Sequence, residues 1–350
     1  MNLPADFTRL TAENPADPEK KFSIRFTPPP IGLNPNPPRV VLDAPEAAPP
    51  VAVPFLTPFN RKAPARKTHR LIQHGDGSRT LETTGYGGAD GTAKAARFTH
   101  CTRQVADIED LHTVLRFHSD QNCLAVRGQV RPDAARVIFR RLAEEGADIL
   151  DSGSRLVVID LDHEVAPVAL DTDDDLAVGE YLRSRLPAEL RDVSCVVQFS
   201  NSYGLWRLDA GRKKELKAHL WLLNDEPLTG PELRRWITAQ NRIGDCAQVD
   251  PQLSNANQAI YCASPVFEGC ADPVRQRLFL MLSDTGRDTA SIRPPAAPEP
   301  IVYAPGAVGE RCPDKLRPLV AAIQRAVAEG LERHPVINAA AFTAGRLVRG

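Results

Sequence analysis

The chain has 350 residues, 42% hydrophobic and 25% charged, a balance that suits a globular protein of two or three domains. The formal net charge of -1 excludes a uniformly basic nucleic-acid-binding protein, although local basic patches can still attract phosphate. No run approaches the roughly 18 apolar residues of a membrane span, and the N-terminus lacks the apolar segment of a signal peptide. We therefore expect a cytoplasmic protein with no membrane partner.

Proline dominates the early part of the chain. Twelve of the 31 prolines fall between residues 28 and 64, and proline removes a backbone donor and fixes φ, which disfavours packed elements. We therefore predict a Pro-rich, largely disordered region over 1–95. It includes a basic arm at residues 61–70, which carries five Lys or Arg residues and no acid. The arm is either a solvated linker end or a flexible contact for a phosphate backbone.

Regular structure is predicted from about residue 100 onward. Apolar spacing and capping residues predict helices over 105–115, 132–146, 174–186 and 229–240. Segments rich in β-branched residues predict strands over 124–130, 154–163, 193–200 and 217–223, and further strands in QAIYCASPVF and QRLFLMLSD. Because helices lie between these strands, the sequence predicts an α+β or α/β core.

A second Pro-rich stretch separates this core from the tail. We predict a folded catalytic domain over 96–288, a Pro-rich linker over 289–305 and a small helical module over 306–350. The tail reaches Gly350 without an evident end of a domain, so we expect the chain to be part of a longer protein.

The segment VVIDLDH ends a buried strand in two acids. Side chains alternate along a strand, so Asp160 and Asp162 lie on one face, about 7 Å apart at the backbone. Ile159 and Leu161 then face a core. Two carboxylates so placed suit Mg²⁺ or Mn²⁺, which prefer oxygen ligands. Exposed acids at a strand end are the structural alternative, and the DxD pattern alone also occurs in glycosyltransferases, phosphatases and nucleases.

Three other polar segments are candidates for a site. KAHLWLL places Lys217 and His219 on one strand face, where a cation and an imidazole suit a triphosphate, although such a histidine is more often structural. FSNSYGLW forms a polar turn, and its Ser200 and Ser202 can hydrogen-bond phosphate or base. Asp250 in QVDP has the position of an ordinary turn residue before proline.

The order of these segments is more specific than any one of them. DLD, S-x-S-x-G, K-A-H and then V-D followed by NQAIYCASPVF resemble the three motifs of the archaeo-eukaryotic primase superfamily, especially primase-polymerases of phages and mobile elements. The resemblance covers about residues 100–350, because HPVINAAAFTAGRLVRG is similar to the helical module that follows many such domains. The zinc-binding insert of some relatives has no counterpart, since the seven cysteines are scattered without paired spacing and are expected to be reduced thiols.

The resemblance implies an RRM-like palm sheet with an N-terminal α/β unit beside it. It implies template-directed nucleotidyl transfer that makes primers on single-stranded DNA from NTP or dNTP, with a replicative helicase, fused or separate, as a partner. Asp160, Asp162 and Asp250 would bind two Mg²⁺ or Mn²⁺ ions, with Asp160 shared between them. His219 would contact the triphosphate. The other residues that the resemblance assigns to the nucleotide are Lys217, Ser200, Ser202, Gln258 and Tyr261.

Template contacts and other functions remain open on the sequence alone. Trp206 and Trp221 are able to stack on bases or to lie in the core. The same acids would also serve a metal-dependent nuclease or phosphotransferase. A non-catalytic replication-initiation module, which binds DNA and recruits a helicase, is a further alternative. The candidates for template contact, each equally explained as surface charge, are Arg212, Lys213, Lys214, Arg234 and Arg235.

Overall fold

The structure is a computed structural model. It describes residues 9–14, 17–25, 41–42, 49–59, 64–86, 97–140 and 147–297, and for His163 and the strands before residue 43 it describes the backbone alone. The helical module predicted over 306–350 lies outside the described residues.

The described residues form sixteen strands and three α-helices. The strands are β1 (Arg9–Asn14), β2 (Asp17–Arg25), β3 (Val41–Leu42), β4 (Val51–Pro58), β5 (Thr68–Gln73), β6 (Arg79–Thr84), β7 (Arg97–Val105), β8 (Leu124–Ala125), β9 (Gln129–Val130), β10 (Val137–Phe139), β11 (Ile149–Leu150), β12 (Ser154–Val165), β13 (Cys195–Phe199), β14 (Glu215–Leu228), β15 (Val266–Glu268) and β16 (Leu278–Met281). The helices are α1 (Ile108–Ser119), α2 (Asp175–Ser184) and α3 (Gly230–Ile243).

The central sheet has the strand order β12-β14-β13-β16, with every neighbouring pair antiparallel. Along the chain its elements follow the order β12-α2-β13-β14-α3-β16, so that each helix connects two strands with a third strand between them. Apolar residues of α2 and α3, among them Leu182 and Trp236, pack with Ile159, Val197 and Leu220 on one face of this sheet. The mixed α+β class is therefore confirmed for the described part of the chain.

The other face of the central sheet packs against a second antiparallel sheet, of order β10-β7-β4-β8, and against α1. Phe55 of β4, Leu111 of α1, Val158 of β12 and Trp221 of β14 belong to this second core. Because both faces of the central sheet are covered over most of their area, its strands are apolar on both sides.

The prediction of a largely disordered region over 1–95 is wrong for the sheet β1-β2-β3 and also for two later segments. β4 lies inside its sheet between β7 and β8, and Val53, Phe55 and Leu56 are fully buried. The pattern VAVPFL supplies enough apolar area to offset the prolines, and the carbonyl of Pro54 still accepts a hydrogen bond from Val126. In the second segment β5 and β6 form a hairpin that β15 extends in parallel.

The helix predicted over 132–146 is also wrong where the structure describes it. β10 occupies Val137–Phe139 and pairs with β7, and Ile138 is fully buried. The run Val-Ile-Phe is better suited to a pleated surface than to a helix, and tertiary pairing with β7 decided the outcome. The strand predicted over 124–130 is likewise two short strands, β8 and β9, and the segment around 260 has only an isolated bridge before β15.

Other predictions agree closely with the structure. α3 begins with a capping box in which Thr229 and Glu232 each satisfy the backbone amide of the other. β12, β13, β14 and β16 fall within or around the predicted strands. No helix among the described residues is long and apolar enough to cross a membrane.

The predicted linker over 289–305 starts later than its composition suggests. Ala290 and Ile292 are buried, and the amide of Ala290 donates to the carbonyl of Leu223, which adds this segment to the end of β14. The chain divides into two compact units at Pro295 and Ala296, inside the predicted linker.

Candidate functional site

A row of polar side chains crosses the central sheet on the face that carries the second core. Asp160 of β12 lies opposite His219 of β14, which lies opposite Gln198 of β13. One step further into the sheet the same row is the apolar set Val158, Trp221 and Val196, all of it buried. The polar row therefore begins where the apolar contact between the two sheets ends.

Asp160 and His219 are in direct contact. The Nε2 of His219 lies 3.5 Å from the Oδ1 of Asp160, and the two side chains are 12% and 16% exposed. The other ring nitrogen of His219, Nδ1, is buried and has no hydrogen-bond partner among the described residues. A buried polar atom without a protein partner is costly, so Nδ1 is available to a ligand, an ion or a water molecule.

The charges around Asp160 show which groups converge on it. Burial raises the pKa of the Asp160 carboxyl, and the negative charges of Asp162 and Asp250 raise it further. The positive groups of His219 and Lys217 act in the opposite direction. Acids from two separate segments thus lie close enough to act on Asp160, together with the predicted cation and imidazole.

Asp162 lies where β12 departs from regular pairing. The register between β12 and β14 shifts between Leu161 and Glu164, so that β12 gains one residue there. Such a β-bulge re-aims the side chains at its position. Asp162 is exposed while Asp160 is largely buried, so the two carboxylates of the DLD segment have different environments.

Asp250 has the turn role that its position before proline predicts. It precedes a short 3₁₀ turn, Pro251–Ser254, and its Oδ1 accepts a hydrogen bond of 2.8 Å from the amide of Gln252. Asn241 of α3 holds the preceding residue Val249 by two hydrogen bonds, at 2.8 and 2.9 Å. Asp250 is nevertheless exposed, and its charge acts on Asp160.

A cationic cleft adjoins the acids on the Lys217 side. Its volume is about 270 Å³, and its polar lining comprises Ser202, Arg212, Lys213, Glu215 and Lys217, with Trp206 as an aromatic wall. Lys217 is 3.0 Å from Glu215, and Arg212 contacts Asp209 at 3.2 Å. The structure thus brings Arg212 and Lys213 to the same cleft as the two predicted nucleotide contacts Ser202 and Lys217.

The polar turn after β13 is structural as well as accessible. Ser200 and Ser202 place their hydroxyls 3.4 Å apart. Asn201 between them is buried, and its Oδ1 accepts from the amide of Lys67 at 3.0 Å while its Nδ2 donates to the carbonyl of Ala263 at 3.0 Å. Gly204 ends the turn with φ of 81°, and a Cβ there would lie 2.6 Å from Val274.

Two residues of the site, Lys67 and Tyr86, were not predicted from the sequence. Lys67, which composition placed in a disordered arm, has its amide bound by Asn201 and its carbonyl bound by Val266. Burial and the charge of Lys217 lower the pKa of Lys67, and Asp162 opposes this shift. Lys67 lies 5.1 Å from the ring centroid of Tyr86. A fixed position for Lys67 depends on β5 pairing with β15, which no local pattern reveals.

Tyr86 and Tyr261 form the aromatic part of the site. Their rings stack at 3.6 Å between centroids. Burial raises the pKa of Tyr86, and Tyr261, Asp160 and Asp162 raise it further, so this pair lies beside the acids. The structure therefore places Tyr261 against Tyr86, on which the acids act. Gln258 is half-buried after the 3₁₀ turn, where its amide donates to the carbonyl of Asn255, and the structure gives its side chain no contact with the acids.

The remaining predicted contacts lie elsewhere. Arg234 and Arg235 belong to α3, which packs on the sheet face opposite the acids. Arg234 bonds to Asn255 at 2.9 Å, and Arg235 to the carbonyl of Pro295 at 3.2 Å. Lys214 is exposed before β14 and is absent from the lining of the cationic cleft. Trp221 is fully buried and donates to Gln198 at 3.0 Å, so it is a core residue.

A protein cage for a metal ion is absent from the described residues, because no three His, Cys, Asp or Glu side chains are grouped closely enough to hold one. Asp160 and Asp162 supply a pair of carboxylates instead. Mg²⁺ usually keeps several waters and is held by one or two carboxylates together with substrate phosphates. The donor set therefore suits an ion that arrives with a phosphate ligand.

Comparison with known proteins assigns no family to the chain. No protein-family model matches it, and neither the curated proteins nor the solved structures contain a significant match.

Proposed function

We propose that the chain is a nucleotidyltransferase that extends or starts primers on single-stranded DNA. The observation that carries the proposal is the contact of the largely buried Asp160 with His219, on the strand that also carries Lys217, at a place where the charges of Asp162 and Asp250 also act. Nucleotidyl transfer requires acids that bind metal ions and cationic groups that bind phosphate. These residues come from three separate segments, which follow one another in the order of the primase-polymerase motifs.

Each side chain has a role that its surroundings support. Lys217, Lys67, Arg212 and Lys213 present positive charge for a triphosphate, and Ser202 offers a hydroxyl donor in the same cleft. His219 is held by Asp160 on one side, which fixes the orientation of its ring. The stacked tyrosines form an apolar wall next to the acids that would exclude water from one side of the site.

Mg²⁺ or Mn²⁺ fits this proposal as a ligand of Asp160 and Asp162. When bound, such an ion lowers the pKa of an attacking hydroxyl and neutralises charge on the leaving pyrophosphate. Burial disfavours the ionised form of Asp160 and raises its pKa, so a cation would favour its charged state. Asp250 adds negative charge while its Oδ1 also caps the turn after it.

The finer expectation of an RRM-like palm is part of the proposal. Two interleaved strand-helix-strand units on one sheet, with both helices on the face away from the acids, support it. The strand order is a departure from it, because β16 pairs beside β13 at the edge opposite β12, whereas the last strand of an RRM-type sheet pairs beside the first. The proposal of an RRM-like palm therefore rests on the order of the elements along the chain and on the placement of the two helices.

The test is incorporation of labelled NTP or dNTP on single-stranded DNA with Mn²⁺ or Mg²⁺. Asp160→Asn keeps the size of the side chain and removes its charge, and we expect it to lower incorporation by about a hundredfold or more. Arg79→Met, an exposed change on β6, is the matched control and should leave incorporation unchanged.

Two outcomes would contradict the proposal. Incorporation that persists in Asp160→Asn would remove the acids from the reaction. Metal-dependent cleavage of the DNA without incorporation would identify a nuclease that uses the same residues. Asp250→Asn is the sharper variant, because its amide can still cap the 3₁₀ turn while the charge is lost, so a loss of incorporation there reports on chemistry more than on folding.

A second candidate is a non-catalytic module that binds nucleotide or DNA. It is favoured by one observation, that the described residues contain no group of three metal-ligating side chains. DNA binding that needs no metal, together with no incorporation by the unaltered chain, would support this candidate over the first.

A further inference from the structure

A second cleft opens on the same side of the central sheet, at the opposite edge from the acids. It has a volume of about 580 Å³ and lies between α1 and the start of β16. We name it the α1–β16 cleft; the lining residues used below are His112, Arg116, Asp120, Ser264, Arg275 and Leu278. None of the residues of the acidic site lines this cleft, so it is a separate feature of the surface.

The α1–β16 cleft is mainly positive, and two of its arginine side chains are not engaged by other described residues. Within the described part of the chain, the guanidinium groups of Arg116 and Arg275 make no hydrogen bond or ion pair, and both side chains are exposed. Arg277 also lines the cleft, but Asp272 and two backbone carbonyls already bind its guanidinium. Asp120 is the acid in the lining. Two unpaired arginines facing one cleft are the pattern that binds an anion.

The cleft and the acidic site lie along the same row of the central sheet. Leu278 lies opposite Gln198, which is the third member of the row that begins with Asp160 and His219. Three strand spacings therefore separate Asp160 from Leu278, a distance of about 14 Å. A single mononucleotide bound at the acids would not fill that span, whereas a strand of several nucleotides would.

Two segments lie between the cleft and the acids. The amide of Ser264 donates to the carbonyl of Ser119 at 2.7 Å, which joins the segment before β15 to the end of α1. Arg66 reaches the carbonyl of Asp120 at 3.4 Å, while the next residue, Lys67, lies in the acidic site. Positive charge thus continues from Arg116 and Arg275 past Arg66 to Lys67.

We propose that the α1–β16 cleft binds the phosphodiester backbone of a single-stranded nucleic acid, with Arg116 and Arg275 on successive phosphates. The proposal rests on the proposed function for the direction of the strand, which would lead from the cleft to the acids. The binding itself rests on the unpaired arginines and the length of the cationic path. It assigns backbone contacts to residues of α1 and of the segment before β16, and none to α3.

The test is binding of a fluorescently labelled oligothymidylate to the full chain, measured by anisotropy at several salt concentrations without divalent metal. The variant is the double charge reversal Arg116→Glu with Arg275→Glu. We expect its affinity for the oligonucleotide to fall by a factor of about ten. The slope of log affinity against log salt should fall in magnitude by about 1.4, since a single-strand phosphate contact contributes about 0.7.

The control is Arg79→Glu with Arg242→Glu, which makes the same change in net charge at two exposed sites on β6 and α3. Equal losses in both double variants would overturn the proposal, because the effect would then be one of total charge. Unchanged affinity in the cleft variant would overturn it as well. Thermal unfolding of each variant checks that the fold persists.

The two proposals fail separately. Binding that depends on the cleft in a chain that never incorporates nucleotide would keep the cleft and remove the polymerase. Nucleotide incorporation by a chain whose DNA binding does not depend on Arg116 and Arg275 would keep the polymerase and remove the cleft. Asp160→Asn should bind the oligonucleotide at least as tightly as the unaltered chain, because it removes one negative charge from the end of the path.

Discussion

At the scale of single residues, the site depends on a few contacts that join distant segments. Asn201 receives the amide of Lys67, donates to Ala263 and offers its carbonyl to His69 at 2.8 Å. One buried side chain and its backbone therefore fix the backbone of Lys67 relative to the turn after β13. Since a side chain on a fixed backbone loses less entropy when it meets a phosphate, we expect Lys67 to contribute to binding more than to folding.

Lys67→Met tests this role. The substitution keeps the unbranched stem over the Tyr86 ring and removes the charge, and we expect the dissociation constant for a nucleoside triphosphate to rise about tenfold, as for the loss of one charge-assisted hydrogen bond. The measurement is nucleotide binding in the absence of template. Arg79→Met, on the same hairpin, should bind as the unaltered chain does, and equal binding by Lys67→Met would show that Lys67 does not contact the phosphates.

At the scale of elements, Arg127 joins the end of the central sheet to the turn that carries Asp250. Its buried guanidinium donates to the carbonyls of Leu156 and Ser254, each at 3.1 Å, and to that of Leu228. Three carbonyls at the ends of β12, β14 and the 3₁₀ turn would otherwise lack a donor. The location of Asp250 is therefore coupled to the packing of the sheet.

Arg127→Met should lower the free energy of unfolding by about 3 kcal/mol, because it leaves three buried carbonyls without a donor. Urea unfolding followed by circular dichroism measures the change. Arg131→Met is the control, since Arg131 pairs with Asp133 at the surface and a surface pair contributes little. Similar stabilities for the two variants would mean that water replaces the guanidinium of Arg127.

Local sequence patterns predicted some of these elements and not others. The apolar alternation of KAHLWLL, the β-branched run before Asp160 and the capping box at Thr229 each act within a few residues, and each was predicted from the sequence. The strand at Val137–Phe139 and the central strand β4 depend on partners 30 or more residues away, and both were missed. For the same reason Asp160 and Asp162 were found by alternation, whereas Lys67 and Tyr86 needed the tertiary structure.

At the scale of the whole molecule, buried histidines make stability depend on pH. Burial lowers the pKa of His69 to about 4, and its Nδ1 and Nε2 contact Thr83 at 3.0 Å and the carbonyl of Asn201 at 2.8 Å. Burial also lowers the pKa of His118 to about 4. In the unfolded chain both take up a proton near pH 6.5.

Since the unfolded state binds these protons first, the stabilising effect is complete above about pH 6.5 and is lost as the pH falls toward 4. We expect the urea midpoint to decrease over this interval. His69→Gln, which keeps a hydrogen-bonding side chain without the titration, should show a shallower decrease, and an identical slope in that variant would assign the pH dependence to other groups.

The position of β4 has a consequence for how this protein can be divided. Composition suggests a cut near residue 95, with a dispensable leader before it. Because β4 is hydrogen-bonded to β7 on one side and β8 on the other, such a cut would remove an interior strand and open two new edges in the same sheet. A fragment that begins after residue 58 is thus expected to aggregate, and a gene fusion or truncation that preserves the acids must also carry residues 51–58.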